Sequence, residues 1–135
     1  MTNVPAEEIA SAFVDYLTTL AVPPGLFAPD VLADFNVPHW RFQMRGVDEL
    51  TAQLDRDAPH GWKVTAGPVR PTPDGAVLEI TFDVPQEAGH GLHYRTAWLL
   101  EVADGRISRV TLYCTGEWDD ETIARHALDA PMYEL

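Results

Sequence analysis

Between Trp62 and Thr115 apolar and polar residues recur with a period of two, broken at short turn signals. Leu78, Ile80, Phe82 and Val84 alternate with Glu79, Thr81 and Asp83. In an extended chain successive side chains point to opposite faces, so such a run buries one face and wets the other; a helix cannot separate the two sets in this way. The pattern predicts strands over 62–70, through 78–84, over about 91–102 and over 106–115. Pro73-Asp74-Gly75 and Asp104-Gly105 supply turns, and Pro59-His60-Gly61 marks where this half begins. Consecutive strands joined by tight turns read as an antiparallel sheet.

The first half has a different period. Ile9, Phe13, Leu17 and Leu20 share one face of a helix over 5–20, with Pro5 suited to its first position and Glu7 and Glu8 at the positive end of its dipole. Pro23-Pro24-Gly25 ends it. Residues 31–37 and 40–45 read as two short strands parted by Pro38. A second helix starts near Gly46, where Val47, Leu50, Thr51 and Leu54 keep helical spacing. Asp119 or Asp120 caps a short last helix carrying Ile123 and Ala127. Helices grouped beside a sheet make an α+β domain, expected to occupy 1–135 as one unit. A sheet that curls around its helices encloses a cone, and the mouth of a cone is a natural small-molecule pocket.

Charge narrows the partners. Nine Lys+Arg stand against 21 Asp+Glu, for a net charge of −12. Such a surface repels phosphate backbones and anionic headgroups, so neither nucleic acid nor a membrane is expected. No apolar run approaches the roughly 20 residues of a membrane span, and the acidic start does not read as a signal peptide. The expected compartment is the cytoplasm. Cys114 is the one cysteine, which leaves no intramolecular disulfide and no cysteine-pair zinc site. His90-Gly91-Leu92-His93 places its histidines on opposite strand faces, and Gly89-His90-Gly91 has Tyr94 where a dinucleotide fingerprint needs glycine. No cofactor and no metal are expected.

Tyr16-Leu17-Thr18-Thr19-Leu20, Leu26-Phe27-Ala28-Pro29-Asp30, Gly46 with its following helix, and Asp104-Gly105-Arg106-Ile107 before a strand ending Tyr113-Cys114-Thr115-Gly116 occur in an order and spacing similar to the nuclear-transport-factor-2-like superfamily. The resemblance is to its SnoaL-like branch especially, and spans roughly residues 5–118. It implies a cystatin-like α+β barrel: a strongly curved antiparallel or mixed sheet wrapped around the N-terminal helices, with an internal pocket. It also implies a homodimer. The fold hosts isomerases, dehydratases, epoxide hydrolases, cyclases and non-catalytic modules, so it names no single reaction. Residue by residue, Tyr16 matches the tyrosine that polarises a carbonyl in the ketosteroid-isomerase branch. Where that branch has a general-base aspartate before a proline, this chain has Val37. The late-strand acid of the SnoaL cyclases falls on Thr115, with Glu117 two residues on, and Arg95-Thr96-Ala97 lacks the acid of the epoxide-hydrolase pattern.

The residues themselves offer other proton carriers. Histidine titrates near neutrality, and His39 follows Pro38 at a strand junction beside Trp40. His93 and Arg95 lie two apart on one strand and share a face; if that face is concave, His93 acts as acid or base while Arg95 holds an oxyanion. Asp34 is a further candidate if the first strands turn their polar set inward; simple alternation turns it outward. Tyr113 can donate a hydrogen bond. Trp40, Phe42, Trp98 and Trp118 offer an aromatic wall for a small apolar or polycyclic molecule, with plain core packing as the alternative, favoured most for Trp98. Together these residues point to cofactor-independent lyase or isomerase chemistry in an apolar pocket, or to a non-catalytic binding module of the same fold.

Overall fold

The structure, a computed structural model, describes residues 5–58, 61–85, 91–130 and 132–133. The Pro59-His60 break and the Gly89-His90 motifs lie outside the described residues. Helix α1 (Ala6–Thr19) buries Ile9, Phe13, Tyr16 and Leu17, the helical stripe read from the sequence. It stops at Leu20, whose φ of 59° turns the chain left-handed while its N–H bonds the Tyr16 carbonyl. Helix α2 (Val47–Asp57) buries Leu50 and Leu54.

Eight strands form one sheet: β1 (Phe27–Val37), β2 (Trp40–Arg45), β3 (Lys63–Ala66), β4 (Arg70–Thr72), β5 (Gly75–Val84), β6 (Leu92–Ala103), β7 (Arg106–Cys114) and β8 (Trp118–Asp119). The order is β2-β1-β7-β6-β5-β3, with β4 on β5 and β8 on β6. The hairpin at Asp104-Gly105 forms as expected, with φ of 54° and 74°. Two expectations are corrected. β1 starts at Phe27 rather than 31, because Phe27 pairs with Ile107. The 62–70 run splits into β3 and β4 at Gly67-Pro68, where proline has no N–H for a ladder. β1 and β7 run parallel, so of the two sheet types expected, antiparallel or mixed, the sheet is mixed.

Register sorts every strand residue to one face. One row crosses five strands as Phe42, Phe35, Leu112, Trp98 and Leu78. This row faces inward and joins the core beneath α1, where Phe13 and Phe35 set their rings 5.3 Å and 5.6 Å from Trp98. Truncating an aromatic ring so placed costs about 3–5 kcal/mol. The next row, Gln43, Asp34, Thr111, Leu99 and Val77, faces outward. Gly75 pairs so closely with β6 that a Cβ there would lie 1.7 Å from the Leu100 carbonyl oxygen. Helix α3 (Asp120–Asp129) is capped by the Asp119 carboxylate on the Thr122 N–H and buries no residue. No helix among the described residues is long and apolar enough to cross a membrane.

Candidate functional site

The inner face of the sheet does not fill completely. Beyond Trp98 it opens into a cavity of about 690 Å³ between the end of α2, the β1–β2 hairpin and the inner faces of β5, β6 and β7. Its walls are aromatic and aliphatic, with Phe35, Phe42, Phe82, Trp98 and Leu112 among them. Wall groups that are polar are already satisfied within the protein. Trp62 donates its indole N–H to the Leu17 carbonyl at 2.6 Å and packs its ring 4.3 Å from Phe82. Thr96 donates to the Ile80 carbonyl at 2.6 Å and accepts from the Trp98 indole at 2.7 Å.

The mouth is chemically different. Asp57 extends the α2 stripe of Leu50 and Leu54 by one further turn, so a helix face that buries leucines delivers a carboxyl to the cavity. Tyr94 enters from β6 because it shares a face with Thr96 and Trp98. Glu117 follows Gly116, whose φ of 89° turns the chain where a Cβ would meet Pro38 Cγ at 2.7 Å. That turn returns Glu117 over β6, and the Tyr94 hydroxyl donates to its carboxylate at 3.1 Å. Burial, then the Glu117 charge and hydrogen bond, raise the Tyr94 pKa, so the phenol keeps its proton. Asp57 presents exposed surface, yet crowding around its carboxyl raises its pKa. A hydrogen bond from Gln53 at 2.9 Å and the Arg56 charge oppose that rise. Asp57 acts electrostatically on both Tyr94 and Cys114. The Cys114 thiol is pushed up by burial, against a 3.3 Å hydrogen bond from the Gly116 N–H, and is a packed side chain more than a nucleophile.

Of the residues singled out in the sequence for the aromatic wall, Phe42 and Trp98 line the cavity, Trp98 as part of the buried core as well. His93 and Arg95 sit on the outer face, so the concave placement conditional for their pairing is not met; Tyr94 between them points inward. His93 is instead held between Asp83 at 2.6 Å from Nδ1 and Asp120 at 2.7 Å from Nε2. Asp34 also faces outward, as simple alternation requires. It is buried beneath Arg41, whose Nε and Nη2 bond it at 2.9 and 2.7 Å, with Arg109 at 3.5 Å. Those Arg41 hydrogen bonds hold its pKa below the usual range against the opposing effect of burial. Tyr113 is on the same outer face, half exposed. Thr115 lies past the end of β7 and accepts the Arg95 N–H at 3.2 Å. His39 is exposed in the β1–β2 turn, with φ of 62°, and Trp40 beside it is 70% exposed. Trp118 packs against His126 at 5.3 Å on β8. Tyr16 is in the core under Phe27; its hydroxyl finds no partner among the described residues, and burial with the Asp55 charge pushes its pKa to about 12.

The sequence reading missed Tyr94 and Asp57 and named Glu117 only as a neighbour of Thr115. Two signals could have found them. In β6 the set Tyr94, Thr96, Trp98, Leu100 and Val102 is more apolar than His93, Arg95, Ala97, Leu99 and Glu101, which fixes the inward set. In α2 an acid three residues after Leu54 breaks the apolar stripe. Among the described residues no group of three or more His, Cys, Asp or Glu is arranged to hold a metal ion.

No family model matches the sequence, and no curated protein does. Solved structures do. A Jannaschia protein described as a SnoaL-like polyketide cyclase superposes with a TM-score of 0.66 at 16% identity, covering 98% of this chain and 99% of that one. An epoxide hydrolase from M. tuberculosis, of the LEH-like kind, gives a TM-score of 0.64 at 18% identity over 81% of each chain. A Kribbella flavida protein described as a ketosteroid isomerase gives 0.58 at 22% identity, over 84% of this chain and 79% of that one. The chain therefore has the nuclear-transport-factor-2-like fold, a likeness of architecture that spans proteins described with different reactions.

Proposed function

We propose that the protein is a cofactor-independent isomerase or lyase for a small molecule with an apolar body. One observation carries this reading: two carboxyl groups and a phenol meet at the mouth of an otherwise apolar cavity. Glu117, oriented by the Tyr94 hydroxyl, takes a proton from carbon beside a substrate carbonyl. The protonated Glu117 then returns that proton to another carbon, or to a departing hydroxyl, which leaves as water, while Asp57 at the same mouth holds the substrate in place for both transfers. Both carboxyls are exposed at the mouth, so bulk water resets their protonation after each turnover. Apolar walls exclude water from the substrate body and strengthen every charge interaction inside.

The test is exchange of substrate carbon-bound hydrogen in deuterated water, followed by NMR over a panel of enolisable ketones and β-hydroxy ketones. Glu117→Gln is expected to slow exchange by about 10²- to 10⁴-fold, and Asp57→Asn to slow it less, with the cavity intact in both. Exchange as fast in Glu117→Gln as in the unmodified protein would remove the mechanism. Saturable binding with no exchange in the unmodified protein would make it the non-catalytic binding module instead.

A further inference from the structure

The charges at the cavity mouth are unbalanced. Every ion pair among the described residues lies on the outer face or in the His93 bridge, and none includes Asp57 or Glu117. Asp57 accepts only an amide hydrogen bond from Gln53, and Glu117 only the Tyr94 hydroxyl. Arg56 is the one cation among the described lining residues, and its Nη2 is given to Gln53 Oε1 at 2.8 Å. Behind these carboxyls stand the rings of Phe35, Phe42, Trp62, Phe82, Tyr94 and Trp98. An aromatic face presents negative potential to whatever approaches it. A chain at −12 adds a field that gathers cations and repels anions.

We infer that the ligand of this cavity is a cation: an amine, protonated at neutral pH, carrying an apolar body that lies on the rings while its ammonium group sits between Asp57 and Glu117. This rests on the reading of the cavity as the ligand site, and names the substrate class that reading leaves open. A carboxylate of the same shape meets two like charges, and a neutral alcohol leaves them uncompensated. Each exposed ion pair is weak alone. Two carboxyls acting with ring faces on one ammonium give a measurable preference.

Three probes with one body separate the possibilities: 4-phenylbutylamine, 4-phenylbutanol and 4-phenylbutyrate, titrated at pH 7 with the chemical shifts of the Trp62 and Trp98 indoles as the readout. The amine is expected to bind about tenfold tighter than the alcohol, with the butyrate weakest. Asp57→Asn and Glu117→Gln should each reduce the amine-to-alcohol ratio about threefold without weakening the alcohol. Glu79→Gln, an outer-face charge paired with Arg70, should leave the ratio unchanged. An alcohol or butyrate that binds as tightly as the amine overturns the inference while keeping the cavity. Equal loss of preference in Glu79→Gln also overturns it, since the overall field and not the mouth would then be responsible. If none of the probes moves either indole, the ligand site itself falls, and with it the proposed function.

Discussion

At the scale of the residue, the least comfortable group in the protein is the Tyr16 hydroxyl. It is 1% exposed and has no hydrogen-bond partner among the described residues. A buried donor left unsatisfied costs about 1–3 kcal/mol, so Tyr16→Phe is expected to leave stability unchanged or raise it by about 1 kcal/mol, seen as equal or higher melting temperature. The same variant should keep hydrogen exchange on substrate. Lost exchange with binding intact would return Tyr16 to the carbonyl-polarising role its position resembles. What the sequence disclosed at this scale was uneven. The burial of Phe13, Leu17, Ile80 and Phe82 was legible from spacing alone. His93 and Arg95 drew attention because their chemistry is suggestive, although the alternation around Trp98 already assigned them outward. A one-residue shift in that assignment exchanges every wall residue for a surface one.

At the scale of the element, α3 is held by polar groups rather than by a buried face. Its first residue, Asp120, bonds the His93 ring and the Gly91 N–H, and β8 pairs with β6 at Leu92 and His93. A carboxylate only accepts hydrogen bonds, so both imidazole nitrogens must carry protons to serve Asp83 and Asp120 together. Those two hydrogen bonds, to Asp83 first, raise the His93 pKa against partial burial. Lys63, opposite Asp83 in the β3–β5 register, Arg95 two residues along β6, and Asp119, engaged with Thr122, complete the charged groups on the neighbouring elements. With the folded pKa above the unfolded value of about 6.5, the stabilisation is complete below that pH and is lost as pH rises through the folded value. His93→Gln should therefore lower the melting temperature at pH 6, by no more than about 1 kcal/mol of stability given the exposure of the site, and by progressively less towards pH 9. A pH-independent difference between the two proteins would contradict the bridge. Nothing in the sequence announced this pairing: His93, Asp83 and Asp120 are brought together by a strand register and by a two-residue strand too short to leave a periodic signal.

At the scale of the whole molecule, the sheet has a covered inner face and an open outer one. The open face carries the buried Asp34 network, with Leu99 38% exposed and Tyr113 53% exposed. The resemblance implies a homodimer, and this face is where a second copy would pack. Light scattering is expected to give twice the chain mass, and Leu99→Arg to lower it to one; a monomer in the unmodified protein at micromolar concentration would contradict the pairing. The helices-beside-sheet architecture was readable because each element carries its own period. The parallel contact of β1 with β7 was not, since the two are distant in sequence and neither carries a local mark of its partner. One small contact has a reach beyond its size. The Trp62 indole forms one side of the cavity and is fastened to the Leu17 carbonyl in the last turns of α1. The end of that helix cannot unwind without loosening the cavity wall, and a molecule wedged against Trp62 holds the helix end shut. Proteolytic nicking of the Pro23-Pro24-Gly25 connection, slow or fast, then becomes a gauge of whether the cavity is full.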